Sequence, residues 1–271
     1  MDNNTSLKGL GPQERLFITT LASEGKRIFW IDDAFPFWPS RQQTRNALKR
    51  LEGKGWLQRI SRGLYMIVPL EAGPEGHWTD DPLVIASQLA PDGAVAYWSA
   101  LHYWNFTEQL PRTVMAQSLR QKNPAEIEIL GVKYKFIWIV EHKFFGIASR
   151  SSNGMQVSLT DREKTLVDAC DRPDLCGGIL QVAQALGAGE PIDWDRMDTY
   201  LEKMGSGVIY KRLGYLVDQL QIIIPDRDAR LARWQGSLSE GVSWLDRGGL
   251  KYGPVRTKWR IRVNVPEWSE A

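Results

Sequence analysis

Residues 40–69, SRQQTRNALKRLEGKGWLQRISRGLYMIVP, constrain this chain more than any other stretch, because a helix signal, a glycine break and a hairpin signal follow one another without a gap. Ser40 is a suitable N-cap, since its hydroxyl can accept one of the first-turn amides that lack a helical partner. Thr44, Ala47, Leu48 and Leu51 recur on one helical face. The opposite face carries Gln42, Arg45, Asn46, Lys49 and Gly53, with Arg41 and Arg50 on its flanks and Gln43 in the first turn. Gly53 and Gly55 stop the helix, because glycine enters the left-handed cap without steric cost. Residues 56–60 and 64–68 alternate as strands around the tip Ser61-Arg62-Gly63. The pattern predicts the recognition helix and wing of a winged helix-turn-helix.

Charge follows the same stretch. Residues 40–65 hold Arg41, Arg45, Lys49, Arg50, Lys54, Arg59 and Arg62 against the single acid Glu52, a local net of +6. The whole chain is only +2, so the remainder is acidic by four charges. A basic patch on an otherwise near-neutral chain is a local footprint for phosphates, with ordinary solvated helix charges as the alternative reading.

Upstream, residues 12–23 predict a helix that opens on Pro12, turns Leu16, Phe17 and Leu21 inward and ends at Gly25. Residues 28–31 read as a short strand, and Asp32 as the cap of a one-turn helix over Ala34 and Phe35. Helix, strand, short helix, recognition helix and wing complete the winged-helix order in about 60 residues. Polar, turn-rich residues 70–81 read as a linker. At 271 residues the chain has room for two domains: a winged helix-turn-helix DNA-binding domain over 1–72 and a larger mixed α/β domain over 82–271, an α+β chain as a whole.

In the second domain, helices are expected over 82–89 and 98–104, then strands over 113–116, 127–130, 134–140 and 155–159. Thr160 and Glu163 have capping-box spacing at the start of a helix running to Cys170. Further helices are expected over 178–186, 193–204 and 208–220, and the alternating tail 258–265 reads as a strand. Residues 225–254, rich in Arg and Gly, match no motif.

Catalytic patterns do not assemble. Gly177-Gly178 followed by Asp193 and Asp195 resembles a nucleotidyltransferase turn with two metal-binding acids, but that chemistry needs both acids on one face of a strand. Here Asp193 reads as a helix cap and Asp195 as a first-turn acid. His77, His102 and His142 have no partner at zinc spacing, and Cys170 and Cys176 read as buried structural thiols. No Walker A loop, G-x-S-x-G or dinucleotide fingerprint occurs, so no cofactor or metal is expected. Two cysteines give no disulfide framework, no apolar run reaches the ~20 residues of a membrane span, and the N-terminus lacks the form of a secretory signal, which together predict a cytoplasmic protein.

Three stretches resemble the AbiEi antitoxins of type IV toxin–antitoxin systems. They are the wing, GWLQRISRGLY over 55–65; LTDREKTLVD over 159–168, continuing to DRPDLCGG over 171–178; and the closing KWRIRVNV over 258–265. The resemblance implies a bifunctional protein. Its winged helix would bind inverted repeats in its own promoter, and its second domain would counter a nucleotidyltransferase-like toxin without forming a stable complex. It also implies that Asp161, Arg162, Glu163, Lys164, Asp171 and Arg172 shape the surface that opposes the toxin; their residue types alone read as a helix cap and a helix-terminal turn. A nucleotidyltransferase-like enzyme and an effector-responsive repressor are the rival readings. On duplex DNA, Arg41, Gln42 and Arg45 are the expected base readers, with Gln43, Asn46 and Lys49 beside them, Ser40 at the helix start, and Arg50, Lys54, Arg59 and Arg62 on phosphates.

Overall fold

The residues that dry out first explain the N-terminal unit. The computed structural model describes residues 9–68, 81–129, 131–152 and 155–266. Helix α1 (Pro12–Ser23) starts and ends as its sequence predicts. It is followed by β1 (Ile28–Trp30), the one-turn α2 (Ile31–Ala34), a 3-10 turn over Phe35–Phe37, and helix α3 (Arg41–Gly53). Asp33 rather than Asp32 closes the one-turn helix, accepting from the Trp30 amide at 2.9 Å. Strands β2 (Leu57–Ser61) and β3 (Leu64–Ile67) form the hairpin, and β1 pairs antiparallel with β3 to complete a three-stranded sheet in the order β1-β3-β2. Phe17, Leu21, Phe29, Leu48, Leu51, Leu57 and Tyr65 share the core. Thr44, Ala47, Leu48 and Leu51 are all 0% exposed, so the inward face of α3 is the one its periodicity marks. Burial of each leucine contributes about 1.5–3 kcal/mol.

The second unit is built on a six-stranded mixed sheet in the order β6-β7-β5-β4-β9-β8. Its strands are β4 (Gly93–Val95), β5 (Thr113–Ser118), β6 (Glu126–Ile129), β7 (Val132–Trp138), β8 (Ile147–Ser152) and β9 (Met155–Thr160). β5 runs parallel to β7 and antiparallel to β4, and β4 touches β9 in parallel through Val95 and Leu159. Leu130, expected at the end of a strand, lies outside the described residues, as does nearly all of the expected linker 70–81. Neither β4 nor β8 was expected: β4 is three residues long, and β8 is a polar edge strand with half-exposed side chains, so neither has a clear alternation.

Helix α4 (Pro82–Leu89), capped by Asp81, covers the sheet, and α5 (Tyr97–Tyr103) follows β4. The remaining helices are α6 (Arg162–Asp171), α7 (Ile179–Gly187), α8 (Trp194–Met204), α9 (Gly207–Gln219) and α10 (Arg227–Gly236). The last falls in the stretch that matched no motif. All of 163–170 in α6 is buried, so this helix is the axis against which α7, α8 and α9 pack. The cap of α6 differs from expectation. Asp161 accepts from the Lys164 amide at 2.8 Å, while Thr160 is buried with its hydroxyl against that of Thr165 at 2.7 Å. Carboxylate geometry at the following residue satisfies the helix end better than the strand-terminal threonine can.

The tail also departs from a continuous strand over 258–265. Thr257–Trp259 is a 3-10 turn, Arg260 takes φ 48°, and only β12 (Ile261–Arg262) is extended and paired, between β10 (Ser243–Trp244) and β11 (Val255–Arg256). The left-handed residue interrupts the extended run, yet Trp259, Ile261, Val263 and Val265 are all buried as their alternation implies. No helix among the described residues is long and apolar enough to cross a membrane.

Candidate nucleic-acid interface

Ser40 N-caps α3, with Oγ accepting from the Gln43 amide at 3.2 Å. The cap uses an oxygen lone pair, so the exposed hydroxyl keeps its own proton to donate. From that start the helix exposes Arg41, Gln42, Gln43, Arg45, Asn46 and Lys49, while its other face is sealed in the core. Gln42 Nε2 donates to Asn46 Oδ1 at 3.1 Å, which aligns two amide side chains one turn apart. The Arg41 guanidinium lies over the Phe35 ring, 5.0 Å from its centroid. At the hairpin tip Gly63 takes φ 78°, which lets the chain reverse and leaves Arg62 exposed.

The electrostatics divide the basic residues into two groups. Glu14 of α1 is buried and receives Arg50 Nε at 3.4 Å and Lys54 Nζ at 2.5 Å. These two cations brace the C-terminal end of α3 against α1; Lys54 is 24% exposed and Arg50 57% exposed, so both are partly engaged by Glu14 while remaining accessible. Burial raises the Glu14 pKa, but hydrogen bonds from Lys54 and the Gly11 amide more than reverse that, and the carboxyl lies below its ordinary value. In contrast, Arg41, Arg45, Lys49 and Arg62 have no acidic partner among the described residues. Arg59 is exposed on β2. A cation without a carboxylate neighbour keeps its full attraction for a polyanion. Glu14 is the residue sequence reasoning missed; its only signal is an acid in the first turn of α1, and its partners are 36 and 40 positions away.

The residues expected to oppose a toxin are not one surface. Asp161 caps α6 and accepts from the Tyr200 hydroxyl at 2.6 Å. Glu163 is 3% exposed and accepts from the Asp193 amide at 2.9 Å, and Lys164 is 0% exposed and paired with Asp168. Glu163 and Lys164 are thus interior and cannot meet a partner. Their i, i+1 spacing on a helix would expose one of them, but α6 is covered on every side. Arg162 pairs with Glu190 at 3.0 Å, Asp171 with Lys143 at 2.8 Å, and Arg172 with Asp174 at 2.7 Å, all partly accessible.

Asp193 and Asp195 are apart in role. Asp193 caps α8 by accepting from the Arg196 amide at 3.0 Å, and Asp195 receives the buried Arg230 of α10 at 2.5 Å. No group of three or more His, Cys, Asp or Glu side chains placed to hold a metal occurs among the described residues. Cys170 and Cys176 are free and buried, and burial pushes the Cys170 thiol up to about 12, which leaves it unreactive. His102 places Nδ1 3.4 Å from the Thr107 carbonyl, His142 is exposed, and His77 lies outside the described residues.

No family model matches the sequence, and no curated protein sequence matches it. Among solved structures, the chain is similar to the RV2827C protein from Mycobacterium tuberculosis, with a TM-score of 0.60 and 15% sequence identity over 95% of this chain and 93% of that one. At that identity the likeness is one of fold, an α+β arrangement shared over nearly the whole length of both chains.

Proposed function

We propose that the chain is a DNA-binding autorepressor that also serves as the antitoxin of a type IV toxin–antitoxin operon. The observation that carries the DNA-binding half is the row Arg41, Gln42, Arg45, Asn46 and Lys49 on α3, exposed and without an ion-paired carboxylate among the described residues, with Arg62 exposed at the hairpin tip. A helix of this width fits the major groove, where Arg reads guanine and Gln or Asn reads adenine, each good pair discriminating by ~1–3 kcal/mol. The wing then meets phosphate or the minor groove and sets the register. Promoter binding places the protein in the cytoplasm, with duplex DNA and a toxin as its partners.

The antitoxin half is supported by the resemblance over 159–178 and 258–265. With Glu163 and Lys164 interior, the residues left to face a toxin are Asp161, Arg162, Asp171 and Arg172. The test is a gel shift of the full chain against DNA from immediately upstream of its own gene, titrated against random duplex and salt. Selective binding that the Arg45→Ala/Lys49→Ala double variant loses is the expected result. Affinity for the upstream DNA no higher than for random duplex would sink the repressor reading. Rescue of growth from the neighbouring toxin, without co-purification of the two proteins, tests the antitoxin half separately.

A further inference from the structure

β5 and β7 run parallel, and near their C-terminal ends a cavity of 300 Å³ opens against α6. Crevices outside the carboxyl ends of parallel strands are where open α/β sheets hold ligands. Four observations converge on this one. Tyr97 lines it with φ 56°, in the left-handed region that a bulky aromatic enters only when its surroundings force it to. Gln117 is 1% exposed; its Nε2 donates to Asp168 Oδ2 at 2.6 Å, which fixes the amide, and its Oε1 is buried with no partner among the described residues. Trp138, on the same cavity, is 58% exposed although it is the largest apolar side chain of β7. Arg247 is exposed there and makes no ion pair within 4 Å among the described residues, only a longer-range attraction to Asp174, whereas Lys143 and Arg172 beside it are held directly by Asp171 and Asp174.

We propose that this cavity binds a nucleotide, with its base against Trp138, a base N–H donated to Gln117 Oε1, and its phosphate on Arg247. The three groups ask for three different things. A fixed buried acceptor needs an N–H donor, an exposed indole needs a flat π surface, and an unpaired guanidinium needs an anion. A nucleotide supplies all three, while an aliphatic amino acid lacks the stacking surface and inorganic phosphate lacks the ring; the aromatic amino acids are the competitors that titration distinguishes. The volume is at the small end for ligand pockets and suits a base with part of its sugar, so the phosphate belongs at the mouth, where Arg247 is exposed. Burial pushes the Tyr97 phenol far above its ordinary range, so it remains a hydrogen-bond donor at neutral pH. None of these residues belongs to the winged helix, so the site stands or falls independently of DNA binding.

The experiment is isothermal titration of the full chain with the four ribonucleoside 5′-monophosphates and their nucleosides at neutral pH. At least one monophosphate is expected to bind with a Kd below about 1 mM. Trp138→Ala should weaken it about tenfold. Arg247→Ala should bring the nucleotide down to the affinity of its nucleoside, and Gln117→Leu should abolish the preference among bases. Gln117 is interior, so its variant is checked first by thermal melting; if it does not fold, the two exposed positions decide. Tyr252→Ala, at an exposed aromatic that does not line the cavity, should change nothing. No heat with any nucleotide overturns the proposal. So does binding that Trp138→Ala and Arg247→Ala leave unaltered, and so does equally strong binding of free amino acids or inorganic phosphate.

Discussion

Glu14 shows how a single interior acid shapes a basic surface. By holding Arg50 and Lys54 it partly offsets their charge, while Arg41, Arg45 and Lys49 of α3 have no acidic partner among the described residues. Its carboxyl lies below the ordinary value of 4.5 in the folded protein, so its contribution to stability is complete above 4.5 and is lost below it, as pH falls through the lowered folded-state pKa. Glu14→Gln is expected to destabilise by about 1 kcal/mol at pH 7, since a buried carboxylate is lost from ion pairs whose cations are partly exposed and therefore screened by water. The gap between variant and parent, followed by urea unfolding, should shrink on going from pH 6 to pH 3. A gap independent of pH would mean that the cations do not act through the Glu14 charge. On DNA, residues on α3 and on the wing should differ in kind. Arg62→Ala should weaken binding evenly across sequences and lower the slope of log K against log salt by about one. Gln42→Ala should relax preference at one base pair while leaving the salt slope intact, as competition gel shifts would show.

At the scale of elements, close approaches decide which helices can meet. Gly214 lies in α9 where a Cβ would fall 2.2 Å from the ring of Trp259. Glycine is weak in helices, yet here its missing side chain lets the indole lie on the helix backbone, and Trp259 Nε1 donates to Asp218 Oδ2 at 2.6 Å from that position. Gly214→Ala is therefore expected to destabilise on balance, because overpacking against the ring costs about 1–3 kcal/mol and outweighs the roughly 1 kcal/mol gained in helix propensity. Thermal denaturation followed by circular dichroism measures this; a raised Tm would refute it. Arg212 works beside it as a strap. It is 2% exposed and donates to the carbonyls of Cys170, Asp171, Trp244 and Leu245, joining the end of α6 to the segment that follows α10. The Arg- and Gly-rich stretch thus gains its order from side chains elsewhere rather than from a pattern of its own.

Across the whole molecule, the winged helix and the larger unit share apolar surface. Ile28, Leu64 and Met66 of the small sheet are in one buried cluster with Val84, Ile85 and Leu89 of α4 and with residues of the six-stranded sheet. Gln88 of α4 adds two hydrogen bonds, accepting from the Ile28 amide at 2.7 Å and donating to the Gly25 carbonyl at 3.0 Å. A fragment of residues 1–72 would expose those side chains to water. Its melting temperature should fall below that of the full chain by several degrees for each kcal/mol of docking lost. Equal melting temperatures would show that the contacts between the units carry little stability. The docking also means that α3 is presented from a braced scaffold rather than from a tethered module.

Local patterns were enough where an element's own neighbours supply its reasons. The inward face of α3, the cap at Ser40, the hairpin tip at Gly63 and the bounds of α1 follow from periodicity, hydroxyl chemistry and glycine, all of which act within a few residues. The winged-helix order and the α+β class follow from stringing those signals together. What only the tertiary structure decided involves charges and short or polar elements. Lys164 and Glu163 look like solvent-facing residues in sequence, and packing on every side of α6 makes them interior. Lys54 and Arg50 look like unpaired cations until α1 brings Glu14 to them. β4, β8 and α10 owe their form to partners far along the chain, and so does the cavity at Gln117, whose walls come from β5, β7, α5 and α6. Hydrophobic periodicity records which face of an element is dry, but the pairing of charges depends on distances between elements, and those exist only once the chain has folded.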